Sequence, residues 1–188
     1  MSGPPAHRLF FAIRPPLTLA RQMTNAAHWF GNDGRVLRPE HVHVTVDILD
    51  DVEDVETLGR RMRKIGEEVA HGMFRACFDL AVGSPRSIAL RPRRRIGGLH
   101  ALRERIVRRR QAAGIAERRG YRFSPHTTLG YWQGQPFSER IAPVEWEVRE
   151  FVLIHSHLGQ TRHEIIGRWA LRDAGESGDS DEDQLKLL

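Results

Sequence analysis

Residues 41–48 alternate without a break: His41, His43, Thr45 and Asp47 fall on one face of an extended chain, and Val42, Val44, Val46 and Ile48 on the other. The segment is predicted to be a strand that buries one face and keeps the other polar. A second run, His126-Thr127-Thr128-Leu129, repeats a histidine and a threonine two residues apart, so that His126 and Thr128 share a face as His43 and Thr45 do. Any fold for this chain has to accommodate two such strands. Each offers an imidazole for proton transfer and a hydroxyl for binding an oxyanion, and two units facing each other could work on the two sides of a phosphate.

The remaining segments supply helices and strands around this pair. His7–Ile13 is an aromatic-rich candidate strand, stopped by Pro15-Pro16, which opens a helix near Leu17–Phe30 that ends at Gly31-Asn32-Asp33-Gly34. Val52, Val55, Leu58, Met62, Ile65 and Val69 recur at three and four residues, predicting a helix capped by Asp50 or Asp51 and ending near His71-Gly72. Phe74–Val82 and Ser87–Leu90 read as a hairpin around Gly83-Ser84-Pro85. Leu99, Leu102, Ile106 and Ala113 form the apolar stripe of a third helix. Phe123–Trp132 carries the second His/Thr unit, with Pro125 confining it to a strand start or an edge. Two further strands are predicted over Val144–His157 and His163–Leu171, linked by a turn around Gly159.

Charge is distributed unevenly along the chain. The 188 residues carry a formal net charge of +5, yet residues 173–188 hold six acidic side chains against Lys186 alone, so residues 1–172 carry +10. Residues 1–172 are expected to form one domain, and the acidic, polar tail from 173 to 188 is expected to be disordered. A strongly basic folded part favours a polyanionic partner through counterion release and steering. Arginine's excess over lysine, 27 to 2, also fits a GC-rich genome. Twelve of the arginines lie in residues 91–122, opposed only by Glu104 and Glu117. A solvated helix face and a guide for RNA phosphates are both compatible with that stretch.

Cys77 is the only cysteine, which excludes a disulfide framework and a multi-cysteine zinc site and points to a reducing compartment. No apolar run approaches the roughly 18 residues of a membrane span, and Met1–Phe11 lacks a signal-peptide core. A cytoplasmic location without membrane association is expected, and the protein is taken to act as a monomer. Neither a dinucleotide fingerprint nor a GxxxxGK loop is present.

Two imidazoles and two hydroxyls facing one cleft need no metal to work as an acid–base couple. Histidine titrates near 6.5, so one ring can be neutral while its partner is protonated. One would take a proton from an attacking water and the other would protonate a departing ribose oxygen, while the threonines donate to non-bridging oxygens. His41-x-His43 and His155-x-His157 are same-face pairs that could ligate zinc. No acidic residue repeats with them in a recognised spacing, and the threonines would go unexplained. No metal or cofactor is therefore expected.

With these residues in view, the chain resembles the 2H phosphoesterase superfamily, specifically the bacterial RNA 2′,3′-cyclic phosphodiesterases also called 2′-5′ RNA ligases. Arg8-Leu-Phe-Phe-Ala-Ile-Arg-Pro-Pro resembles the family's opening strand, and Arg38-Pro-Glu-His-Val-His43-Val-Thr45 its first HxTx motif. Phe123-Ser-Pro-His126-Thr-Thr128-Leu resembles the second motif, and Thr161-Arg-His-Glu-Ile-Ile-Gly-Arg-Trp169-Ala-Leu the closing strand. The similarity spans residues 7–172. It implies a bilobed, pseudo-twofold α+β fold of two mostly antiparallel sheets with outer helices, one HxTx strand per lobe across a central cleft.

The resemblance also implies a reaction. RNA ending in a 2′,3′-cyclic phosphate, or a small cyclic nucleotide, would be hydrolysed to the 2′-phosphate without metal, by His43 and His126 with Thr45 and Thr128. It favours His43 as the acid and His126 as the base, while the sequence leaves the opposite assignment open; the two exchange roles in the reverse reaction, by which the same site would make a 2′-5′ linkage. Two positions depart from the family pattern. Many members carry an arginine where Tyr131 stands, so either Tyr131 donates a hydrogen bond there or another cation, such as Arg122, replaces it. The closing strand commonly has tyrosine at the place of His163. Other readings are an RNA-end-binding protein without turnover and a metal-dependent hydrolase built on the HxH pairs.

Overall fold

The computed structural model describes residues 7–30, 35–49, 53–160 and 162–172. In chain order these form β1 (His7–Ile13), α1 (Leu17–Ala26), β2 (Arg35–Val36), β3 (Val44–Ile48), α2 (Val55–Glu67), β4 (Phe74–Gly83), β5 (Ser87–Arg91), α3 (Gly97–Ala112), β6 (Thr127–Tyr131), β7 (Phe137–Val148), β8 (Glu150–His157) and β9 (Arg162–Ala170). The Gly31–Gly34 stop, the caps Asp50 and Asp51, and the acidic tail lie outside the described residues. α2 is capped instead by Asp54, whose carboxylate accepts the Thr57 N–H at 2.9 Å.

The strands join in the order β7-β4-β5-β6-β3-β1-β8-β9, with β2 pairing β6 to one side. Every strand pairing is antiparallel. The two expected sheets are the halves β3-β1-β8-β9 and β6-β5-β4-β7, which meet where Val44 pairs with Thr127. Each half contains a strand, a helix and an antiparallel return strand: β1-α1-β3 in one, β5-α3-β6 in the other. The helices cross over, because α3 packs on β3 and α1 on β6.

One face of the sheet is covered. Leu9, Phe11, Ile13, Val44, Val46, Ile88, Leu90 and Leu129 pack there with Met62 and Ile65 of α2 and Leu99, Leu102 and Ile106 of α3 in one continuous core. Glycine at position 66 lets the Trp169 indole of β9 lie against α2, in space that a Cβ would occupy. On the other face, Phe10, Ala12, Val152 and Ile154 form a small separate cluster with Ile48 and Ile165. β1 is thus apolar on both faces, which explains why its sequence does not alternate.

Two expectations are corrected. The strand-like run Val144–His157 is two strands broken at Arg149, whose carbonyl accepts the Leu171 N–H; β7 ends one half of the sheet and β8 lies inside the other. Unbroken β-propensity gave no sign of the break. In β3, Thr45 pairs with Ala12 but Asp47 with Phe11, so Val46 is the extra residue of a bulge. Beyond it the faces exchange: Asp47 is fully buried among the helices, and Ile48 turns to the open face.

Candidate active site

Val44 and Thr127 sit opposite each other on the central strands, and both side chains are fully buried on the helical side. Pleating sends the residues on either side of them to the open face. Continued one step each way, the antiparallel register puts His43 beside Thr128 and Thr45 beside His126. His43 and His126 each stand one residue ahead of their strand and Thr45 and Thr128 one residue within, so this register arranges the four groups as a square around the Val44–Thr127 pair. All four line one cleft of ≈ 610 Å³. A larger groove, ≈ 870 Å³, between α1 and β7 has no histidine in its lining.

The two histidines are held by the same device. The His43 Nδ1 lies 2.7 Å from the carbonyl of His41, and the His126 Nδ1 2.8 Å from the carbonyl of Ser124. A carbonyl only accepts, so each Nδ1–H donates, and in the neutral ring Nε2 keeps the lone pair. The acceptor two residues back is presented differently each time. Ahead of His43, Pro39–His41 forms a 3₁₀ turn, fastened to the end of β1 by Arg14, which donates to the Glu40 carbonyl at 2.6 Å. Ahead of His126 stands Pro125, and the Ser124 hydroxyl is bonded by Arg91 at 3.2 Å.

The environments of the two rings differ. His43 is recessed against Phe10, with ring centroids 4.9 Å apart, whereas His126 is exposed. Burial, aided by the charges of His126 and Arg14 and opposed by the bond to His41, lowers the His43 pKa to about 4. His163 on β9 faces His41 at 4.7 Å and His43 at 5.5 Å between ring centroids. Its pKa is also lowered to about 4, by burial first and then by His43 and His41. The position that departs from the family's tyrosine is therefore part of the cleft wall.

Tyr131, at the end of β6, lines the cleft and is 55% exposed. Arg122 is exposed in the segment before β6 and is not among the cleft's lining residues. Two arginines that the sequence reading did not single out do line it: Arg35, paired with Tyr131 across β2 and β6, and Arg8 on β1. Arg35 carries no motif of its own, and only the β2–β6 pairing brings it there.

Behind β3, Asp47 meets Arg110 of α3, with Nε donating to Oδ2 at 2.7 Å and both side chains fully buried. Arg110 also donates to the Ile115 carbonyl at 2.9 Å. Burial pushes the Asp47 carboxyl up against the opposing pull of Arg110, which is the desolvation cost of such a pair. Part of the basic stretch is held in ion pairs on the surface. In it, Arg93, Arg95, Arg103 and Arg109 are ion-paired with Asp79, Glu104, Glu117 and Glu68. α3 itself packs on the side of β3 opposite the cleft.

The sheet of two related halves, with helices on one face and a histidine-lined cleft on the other, is the α+β fold that the resemblance to the 2H phosphoesterases implies. Solved structures carry the comparison further. The chain is similar to Escherichia coli LigT complexed with 3′-AMP, with a TM-score of 0.73 and 23% identity over 88% of this chain and 98% of that one. It is similar to LigT complexed with phosphate, with a TM-score of 0.66 and 26% identity over 89% and 99% of the two chains. A structure described as a phosphoesterase matches with a TM-score of 0.71 and 24% identity over 89% and 99%. No protein-family model and no curated protein sequence matches the chain. Among the described residues, no helix is long and apolar enough to cross a membrane.

Proposed function

We propose that residues 1–172 form an RNA 2′,3′-cyclic phosphodiesterase domain that opens 2′,3′-cyclic phosphate ends to 2′-phosphates, without a metal, by paired histidine catalysis. The observation that carries this reading is the square of His43, Thr128, Thr45 and His126 in one cleft, with both Nδ1 atoms committed to carbonyls. Similarity to structures of LigT holding 3′-AMP and phosphate supports a nucleotide phosphate as the ligand. Water attacks phosphorus as one imidazole takes its proton; the bond to O3′ breaks in line as the other imidazole supplies a proton to that oxygen. Thr45 and Thr128 donate to the non-bridging oxygens, where negative charge grows. Arg35 and Arg8 supply the positive charge that the family places at position 131, and Tyr131 adds a hydroxyl donor.

A defined oligonucleotide ending in a 2′,3′-cyclic phosphate, incubated with the protein in EDTA, should yield the 2′-phosphate at an undiminished rate. A 3′-phosphate product would reverse the leaving oxygen and overturn the assignment. Salt-sensitive binding with no product would leave an RNA-end-binding protein instead.

His43 as the acid needs a proton that the free protein does not hold at neutral pH, since its pKa is about 4. An anionic phosphodiester beside the ring favours the charged form and raises the pKa. Binding of a non-hydrolysable cyclic-phosphodiester analogue at pH 7 should therefore take up a proton. Calorimetric binding enthalpies would then vary with the ionisation enthalpy of the buffer, and the dependence should vanish in His43→Gln. No uptake in the unaltered protein would give His43 the base role.

A further inference from the structure

A second group of histidines lies where β1, β8 and β9 meet, at the margin of the cleft, whose lining includes His157. β1 and β8 pair with His7 opposite His157 and Leu9 opposite His155, while β8 and β9 pair with His155 opposite Glu164. Leu9 and Leu153 belong to the helix-side core, so alternation puts positions 7, 155 and 164 on that same side, while His157, the last residue of β8, also reaches the cleft lining. His163, one residue from Glu164, faces the cleft instead.

The three rings are in close contact. His7 Nδ1 and His155 Nε2 are 2.9 Å apart, and the His155 and His157 ring centroids are separated by 4.0 Å. One ring nitrogen from each of the three lies within 4.8 Å of the others. A hydrogen bond accounts for the contact between His7 and His155, but the Nε2 of His157 is buried without a hydrogen-bond partner. The nearest acid is Glu164, whose Oε2 stands 3.5 Å from that nitrogen and equally 3.5 Å from Arg162.

We propose that His7, His155 and His157, together with Glu164, form a structural zinc site that ties the start of β1 to the end of β8 and the start of β9. Zinc takes imidazole nitrogens and carboxylate oxygens at about 2.0–2.2 Å in a tetrahedron, so its donors stand about 3.4 Å apart. The three ring nitrogens lie within 4.8 Å of one another, the Glu164 Oε2 stands 3.5 Å from the His157 Nε2, and that orphaned nitrogen becomes a ligand atom as the groups draw in around the ion. Four protein ligands leave no open position, which marks a structural rather than a catalytic ion. The carboxylate absent from the local HxH spacing is delivered across the sheet by β9. No step of the proposed reaction passes through this site, so the two proposals stand or fall separately.

The full chain, stripped of metal by chelator dialysis, should be titrated with zinc by calorimetry and with cobalt by visible absorption. One zinc ion per chain, a rise in Tm and a tetrahedral cobalt spectrum are expected. His157→Ala should weaken zinc binding by about 100-fold or more, at or beyond the upper end of what loss of an outer partner costs. His7→Ala, a half-buried position at the start of a strand, gives the same readout should His157→Ala fail to fold. Absence of stoichiometric uptake by the unaltered chain would overturn the site. So would uptake that survives both substitutions or disappears in His163→Ala instead.

Discussion

Replacing His43 or His126 by alanine should each lower kcat/KM for a cyclic-phosphate oligonucleotide by about 10²- to 10⁴-fold, the usual worth of a positioned acid or base. The two losses should not add in the double variant, because both groups serve one transition state. Thr45→Val and Thr128→Val keep shape and burial while deleting the hydroxyl. Each should cost about 10²- to 10³-fold, mainly in kcat, as expected for a donor to developing charge. The threonines carry the sharper test. A binding protein that merely holds RNA ends would lose affinity in these variants and have no turnover to lose. Substantial activity remaining in either histidine variant would refute the couple.

Arg110→Ala should destabilise the fold by about 3–5 kcal/mol, because it strands the Asp47 carboxylate in the core without its partner. A domain has roughly 5–15 kcal/mol to lose, so this is a large fraction, and Tm should fall by on the order of 10 °C. Asp47→Ala should behave alike. The double replacement Asp47→Leu with Arg110→Met should recover most of the loss or exceed the starting stability, since it removes the desolvation cost along with the attraction. Urea unfolding of the four proteins decides the matter. An Arg110→Ala variant within about 1 kcal/mol of the unaltered chain would mean that water reaches the pair.

The fate of Asp47 shows where sequence reasoning stops. Alternation identified β3 and the face that carries His43 and Thr45, because period two is a local property of an extended chain. It put Asp47 on that polar face, since a bulge at Val46 leaves no local mark when both neighbours are ordinary strand residues. Arg110 was read as one more surface arginine, although it occupies the helical position that continues Leu99, Leu102 and Ile106. A charged residue on an apolar stripe was the available signal. The cleft's core of two histidines and two threonines was legible because its members come as local repeats. Arg8, Arg35 and His163 were not legible as cleft residues, because only strand pairing across the sheet brings them there. The same holds for His7 and Glu164 beside the His155-x-His157 pair.

The exchange of helices between the halves has a consequence for the chain as a whole. A cut in the connection between α2 and β4 would leave His43 and Thr45 on one fragment and His126 and Thr128 on the other. The first fragment would lack β8, β9 and the α3 helix that backs β3; the second would lack the α1 helix that backs β6. Neither piece contains a finished core or more than one imidazole–hydroxyl pair of the square. Turnover by a mixture of the two would then report reassembly, making the molecule a natural candidate for a split reporter.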